Sequence, residues 1–142
     1  MKRAIAYKRA DEIFLHASSM TTAGVWIISL PVLTCNLNDR ARLSGYIAEA
    51  LEGSKEGVSH PTSWKGLFDP VLELAGVKSW SAFAKPAKCV QIELESDQVR
   101  FTPTKNLGPK EGFQPIPRKT SVGLNTVDSL ADSLLAAFSN AE

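Results

Sequence analysis

The segment CVQIELESDQVRF at positions 89–101 constrains the fold more than any other part of the sequence. If Ser96 and Asp97 form the tip of a hairpin, its two arms bring apolar residues together on one face: Leu94 with Val99, and Ile92 with Phe101. Glu93 then lies opposite Arg100 on the other face, where the two can form an ion pair. A four-residue loop fits the pattern equally well, since Ser-Asp is not a strong two-residue turn. The segment predicts an antiparallel hairpin with one buried face.

Several other segments have the composition of β-strands. Residues 12–18 (EIFLHAS) alternate between apolar and mixed positions, and residues 25–30 (VWIISL) are continuously apolar. The second pattern predicts a strand that is buried on both faces. Residues 4–8 are a weaker candidate, and residues 119–124 predict a last strand. The polar segment 54–66 is predicted to be a loop.

A central helix is predicted before Gly53, which ends it. Asn36 or Asn38 can cap this helix, and Asp39 falls in its first turn, where the helix dipole favours an anion. Its apolar stripe is formed by Leu43, Ile47, Ala50 and Leu51. A second long helix is predicted from about Thr126, with an apolar stripe of Val127, Leu130, Leu134 and Phe138.

Shorter elements fill the middle of the chain. A short helix is predicted at 69–76, with Asp69 as its cap and Pro70 at its first position. A helical turn is predicted in SWSAFAK, stopped by Pro86. Residues 103–119, which hold four prolines and two glycines, predict a long loop. The fold class that follows is α+β: a mostly antiparallel sheet packed with a central and a C-terminal helix plus short helices.

Length and composition set broad limits on the class of protein. At 142 residues, the whole chain suits one domain, residues 1–142. A net charge of +1 gives no overall field that would attract nucleic acid or an anionic membrane. Two cysteines make neither a disulfide framework nor a CxxC metal motif. We expect a protein of the reducing cytoplasm that does not associate with membranes.

The reactive side chains do not form a pattern typical of an enzyme. Cys89 is predicted to share a strand face with Glu93 and Glu95, whose charges would raise a thiol pKa rather than lower it. His16 and His60 lie far apart, without a third ligand at a spacing typical of zinc sites. We therefore expect no catalytic residue, no cofactor and no metal ion.

Nucleic-acid binding is an alternative that the sequence leaves open. Trp80 and Phe83 lie among Lys78, Lys85 and Lys88, and aromatic rings in a basic groove can stack on bases. The two rings are also three residues apart, the spacing of residues that share one helix face and pack into a core. The core interpretation is favoured, and a small nucleic-acid-binding module that uses the basic segments is the second hypothesis.

Several features between positions 24 and 117 occur together in a known group of proteins. They are a strand with Trp and Pro before the central helix, a helix ending in ALEGS, a proline before the loop, the motif GVKSWSAFAK, and a hairpin whose second strand ends in proline. The residues concerned are Trp26, Pro31, Gly45, Pro61, Gly76, Trp80, Phe83, Lys85 and Pro103. In these features the chain resembles immunity proteins of bacterial contact-dependent growth inhibition systems.

The resemblance implies a small cytoplasmic protein without catalytic activity. Such a protein binds the C-terminal domain of its cognate toxin one-to-one and blocks it. That domain is usually a nuclease, often one that cleaves tRNA. Because each immunity protein is specific for its toxin, the resemblance identifies no interface residues, and the oligomeric state stays open.

Charge and aromatic character indicate which residues could bind the toxin. Inhibitors of basic nucleases are often acidic, and a chain with a net charge of +1 can supply acidity only locally. An exposed aromatic residue in a polar loop is typical of an interface anchor. The predicted toxin-binding residues are Glu93, Glu95, Asp97, Asp69, Glu73 and Trp64.

Overall fold

The computed structural model describes all 142 residues and confirms the α+β fold. The strands are β1 (Lys2–Arg9), β2 (Glu12–Thr21), β3 (Trp26–Asn36), β4 (Glu56–Val58), β5 (Lys88–Glu95), β6 (Gln98–Asn106), β7 (Phe113–Pro115) and β8 (Ser121–Leu124). The helices are α1 (Arg40–Glu52), α2 (Asp69–Ala75), α3 (Trp80–Ala84) and α4 (Val127–Asn140). None of these helices has the length and apolar character that crossing a membrane requires.

One sheet joins the eight strands, and β1 lies at its centre. β1 pairs antiparallel with β2 on one side and with β5 on the other. β3 continues the sheet beyond β2, and β6 continues it beyond β5. The far side of β6 is shared, since β8 pairs with its first half and β7 with its second half. Only β4 pairs in parallel, beside the end of β2.

The hairpin of β5 and β6 has the predicted register. Leu94 lies opposite Val99, and Glu93 lies opposite Arg100. Glu95 pairs with Gln98, so the loop contains two residues and the four-residue alternative is wrong. Ser96 adopts φ of 55°, the left-handed conformation that a tight two-residue hairpin needs.

One face of the sheet, called here the helix face, packs against α1 and α4. The core residues on this face include Ala4 and Ala6 of β1, both with no exposed surface. The predicted stripe of α1 is buried, but Asp39 serves as its N-cap and accepts a hydrogen bond from the backbone N–H of Arg42. The stripe of α4 is buried except at Val127, which is 56% exposed because it is the first residue of the helix.

The strand prediction for residues 25–30 is wrong. Residues 25–30 do not form a strand buried on both faces: β3 lies at an edge of the sheet and continues through Pro31 to Asn36. Its apolar residues are shared between two clusters, with Leu33 packed on the helix face and Ile28 on the opposite face. Because the sheet ends at β3, each of these side chains is covered only in part.

The predicted loop at 103–119 is largely ordered secondary structure. β6 continues to Asn106, and residues 113–115 form the short edge strand β7. Pro103 pairs with Val90 inside β6 and does not end the strand as the resemblance implied. Pro115 is tolerated because an edge strand has one side free of ladder hydrogen bonds. Pairing between strands therefore overrides the proline-rich composition.

The short helices follow the prediction with one change. α2 spans Asp69–Ala75, and Gly76 ends it with φ of 70° in the left-handed region. Asp69 is the first residue of this helix, and the capping position belongs to Phe68, which makes no side-chain cap. α3 is capped by the Ser79 hydroxyl, which accepts from the N–H of Ala82.

The burial of α4 predicts unequal effects of two substitutions on one helix. Leu134→Ala should lower the free energy of unfolding by about 2–5 kcal/mol, because it leaves a cavity against the sheet. The exposed Val127→Ala should change it by only about 0.5 kcal/mol. Urea denaturation followed by circular dichroism measures both. Similar losses for the two variants would contradict the packing of α4 described here.

Candidate functional site

The sheet face opposite α1 and α4, called here the distal face, is only half covered. Strand alternation points Arg3, Ile5 and Tyr7 of β1 to this face. Toward the Tyr7 end, α2 and α3 pack over the sheet, whereas no helix covers the end that carries Arg3. The uncovered part is therefore a sheet surface that a partner can reach.

The covered half of the distal face is an aromatic core. Tyr7 contacts Phe83 edge-on at 5.3 Å between ring centroids and Trp80 at 5.8 Å. Phe83 is completely buried, and Trp80 is half-buried with its ring 4.8 Å from that of Phe68. Phe83 therefore cannot stack on a base, as the nucleic-acid alternative requires, and these two residues pin α3 onto the sheet.

The uncovered half begins with a charged cleft at the hairpin. Glu93 lies in register between Arg100 of β6 and Arg3 of β1, and its carboxylate is 3.8 Å from the Arg100 guanidinium. A cleft of about 230 Å³ here, the hairpin cleft, is lined by Glu93, Glu95, Ser96, Gln98, Arg100 and Val122. The hairpin cleft thus presents carboxylates together with one exposed cation.

Beside the hairpin cleft, the distal face contains an aromatic groove, called here the His16 groove. Its volume is about 190 Å³. Its lining is mostly apolar and includes Ile5, Tyr7, Trp26, Ile28, Trp64 and Phe68, together with Arg3 and His16. The Arg3 guanidinium lies over the Trp26 ring, 5.4 Å from its centroid. Aromatic rings combined with arginine are the composition typical of the centre of protein interfaces.

His16 is a buried polar residue with an incomplete set of hydrogen bonds. Its Nδ1 lies 2.8 Å from the carbonyl oxygen of Ala17, while its Nε2 has no partner. Burial lowers the pKa of His16 from its ordinary value near 6.5 to about 4, so the ring is neutral at pH 7. An unpartnered buried polar group typically costs about 1–3 kcal/mol.

The structure brings together four of the six predicted binding residues. Glu93 and Glu95 line the hairpin cleft, and Asp97 lies at the hairpin tip. Trp64 is 53% exposed at the rim of the His16 groove. The strand register, which places Glu93 beside Arg3, joins the cleft and the groove into one surface.

The other two predicted residues lie elsewhere on α2. Asp69 is exposed and follows Phe68 but does not line the His16 groove. Glu73 borders a separate apolar depression with Leu30 and Leu74 at the β3 edge. The fold therefore does not bring these two acids into the hairpin cleft.

Sequence reasoning missed three residues of this surface: Arg3, His16 and Trp26. Alternation alone places Arg3 on the same strand face as Tyr7, and His16 on the same strand face as Phe14. The missing information was the pairing of β1 between β2 and β5, which brings Arg3, His16 and Glu93 to one side of the sheet.

The nucleophile and metal candidates do not form sites. Burial raises the pKa of the Cys89 thiol to about 12, so the carboxylates of Glu93 and Glu95 are not the cause that the sequence suggested. Cys35 is a half-buried free thiol. His60 Nδ1 lies 3.0 Å from the Thr21 hydroxyl. No group of three or more His, Cys, Asp or Glu side chains is arranged to hold a metal ion.

Comparison with known proteins finds similarity in structure but not in sequence. No protein-family model and no curated protein sequence matches the chain. A protein of unknown function from Neisseria meningitidis, NMB0488, superposes with a TM-score of 0.82 and 16% identity, over 99% of this chain and 95% of that one. A chain of the CdiA-CT/CdiI toxin and immunity complex from Yersinia pseudotuberculosis superposes with a TM-score of 0.78 and 13% identity, over 99% and 97%.

The chain shares its fold with a component of a toxin and immunity complex. The correspondence extends over nearly the whole of both chains, so it includes the sheet, α1, α4 and the short helices of the distal face. At 13–16% identity, the likeness concerns the fold.

The neutral state of His16 predicts a loss of stability at acid pH. Because its folded pKa of about 4 lies below the ordinary value near 6.5, the unfolded chain binds an extra proton between these pH values. The contribution of His16 to the free energy of unfolding is complete above about pH 6.5 and is lost as the pH falls. The loss amounts to about 2 kcal/mol at pH 5.

Urea denaturation at about pH 7.5 and about pH 5 measures this contribution when wild type is compared with His16→Asn. The asparagine amide can donate to the Ala17 carbonyl but does not titrate. The variant should therefore lose less stability at pH 5 than the wild type. An equal pH dependence in the two proteins would contradict a buried neutral imidazole.

Proposed function

We propose that this protein is an immunity protein of a contact-dependent growth inhibition system. It binds the C-terminal toxin domain of its cognate effector one-to-one in the cytoplasm and neutralises it without catalysis of its own. The observation that carries the proposal is the likeness, over nearly the full length, to a chain of the CdiA-CT/CdiI toxin and immunity complex. The residue pattern between positions 24 and 117 supports it independently.

The uncovered half of the distal face is the proposed toxin-binding surface. The His16 groove supplies aromatic residues and Arg3, the side-chain types that dominate the binding energy of protein interfaces. The hairpin supplies the carboxylates of Glu93, Glu95 and Asp97. Apolar contacts in the groove would provide affinity, and the acids would accelerate encounter with a basic partner.

The local acidity favours a nuclease as the toxin. A nuclease active site is basic because it binds phosphates, and carboxylates can occupy the same positions. We propose a nuclease, and tRNA is the first substrate to test. Asp69 and Glu73 remain secondary candidates for contact, since they lie on α2 outside the hairpin cleft.

Co-purification with the toxin domain encoded beside this gene tests the function. A stable one-to-one complex that abolishes the toxin's cleavage of tRNA or DNA is the expected result. Absence of a complex at micromolar concentrations would refute the proposal. Binding of an oligonucleotide by the isolated protein, weakening steeply with salt, would instead favour the nucleic-acid alternative.

Charge reversal at the hairpin tests which face of the sheet binds the toxin. The double variant Glu95→Lys/Asp97→Lys should weaken the complex by about tenfold at low salt, mainly through slower association. The matched control is Glu49→Lys, an exposed residue of α1 on the opposite side of the sheet, which should leave affinity unchanged. Surface plasmon resonance measures both rates. A larger loss for the control would assign binding to the helix face.

A further inference from the structure

Two buried polar atoms of the His16 groove have no hydrogen-bond partner. They are His16 Nε2 and Arg3 Nε. His16 itself is only 3% exposed and lies in the floor of the groove. Nearly all buried polar groups in folded proteins have a partner, so a pair of unpartnered groups around one groove requires an explanation. A ligand that completes their hydrogen bonds provides one.

The hydrogen-bond roles of the two atoms follow from the contacts already made. The Ala17 carbonyl can only accept, so the Nδ1 of His16 carries the proton and Nε2 presents a lone pair. Arg3 Nε carries a hydrogen and can only donate. The groove therefore needs one donor for His16 and one acceptor for Arg3. A hydroxyl group supplies both from a single atom, whereas a carboxylate would face the lone pair of His16.

The size and walls of the groove limit the rest of the ligand. Its volume of about 190 Å³ lies below the roughly 300–1,000 Å³ of typical small-molecule sites, so it suits one side chain. The floor is formed by strand residues, and the rim is formed by Trp64 and Phe68 of the segment between β4 and α2. Aromatic rings pack well against such walls, edge-on or offset.

We propose that the His16 groove binds a tyrosine side chain of the toxin domain, with its phenol hydroxyl donating to His16 Nε2 and accepting from Arg3 Nε–H. The partner named here rests on the proposed function. The phenol ring lies among Tyr7, Trp26 and Trp64. A phenylalanine in its place would leave both polar atoms unpartnered, and a serine would leave the aromatic walls without contact. The tyrosine would be a central anchor of the interface.

The chemistry of the groove can be tested on the isolated protein with three small probes. These are p-cresol, toluene and 4-methylbenzoate, which differ only in hydroxyl, hydrogen or carboxylate at one ring position. NMR titration would follow the indole N–H signals of Trp26 and Trp64 and the Nε2 signal of His16. We expect p-cresol to shift all three saturably and to bind about tenfold more tightly than toluene or 4-methylbenzoate.

The third tryptophan and a variant supply controls. Trp80 does not line the groove but a separate depression beside residues 107–111, so its indole signal should move much less than those of Trp26 and Trp64. His16→Phe should lower the affinity for p-cresol toward that for toluene, because only the hydrogen bond from Arg3 Nε–H to the hydroxyl then remains. Equal binding of the three probes, tighter binding of 4-methylbenzoate, or no shift with p-cresol at millimolar concentrations would overturn the proposal.

The toxin complex separates this proposal from the proposed function. Replacing each tyrosine of the toxin domain by phenylalanine should identify one whose loss weakens the wild-type complex by about tenfold but has little effect with His16→Phe, as a double-mutant cycle requires. A stable complex without such a tyrosine would overturn the groove assignment and leave the immunity function intact. If no complex forms, the function fails, whereas the probe titration still decides the chemistry of the groove.

Discussion

The pairing of β1 between β2 and β5 is the constraint on which the rest of the structure depends. This strand is hydrogen-bonded on both sides and joins the amino-terminal hairpin to the β5–β6 hairpin. Its alternation assigns Ala4 and Ala6 to the helix face, where their small side chains leave room for the apolar residues of α1 and α4. The same alternation assigns Arg3, Ile5 and Tyr7 to the distal face. One eight-residue strand thus determines what each side of the sheet presents.

The two faces of the sheet have different roles. The helix face buries a continuous apolar cluster under two long helices and supplies most of the core. The distal face is covered at one end by the aromatic packing of Tyr7, Trp80 and Phe83 and is uncovered at the other. That incomplete cover leaves the carboxylates of the hairpin cleft beside the His16 groove. A sheet supported from behind gives such a surface a rigid base, which limits the entropy lost on binding.

Much of the fold could be predicted because its signals are local. The register of the hairpin follows from residues within thirteen positions of each other, 89–101, and the stripe of α1 follows from its own periodicity. The errors arise where distant pairing decides. The composition of residues 103–119 predicted a loop, but β6 continues through Pro103 because this residue pairs with Val90 of β5. β3 was predicted to be buried on both faces, but it lies at the edge of the sheet, where no further strand pairs with it.

By itself, the sequence determined the elements whose patterns are periodic: the hairpin, the two long helices, and the aromatic turn at 79–85 as part of the core. It also indicated the acids of the hairpin and the exposed Trp64. Only the tertiary structure decided that these residues share a surface with Arg3, His16 and Trp26, and that Asp69 and Glu73 do not. The physical reason is that periodicity is encoded within a segment. Which residues lie side by side across a sheet depends on which strands pair, and here the paired residues are up to about ninety positions apart in the chain.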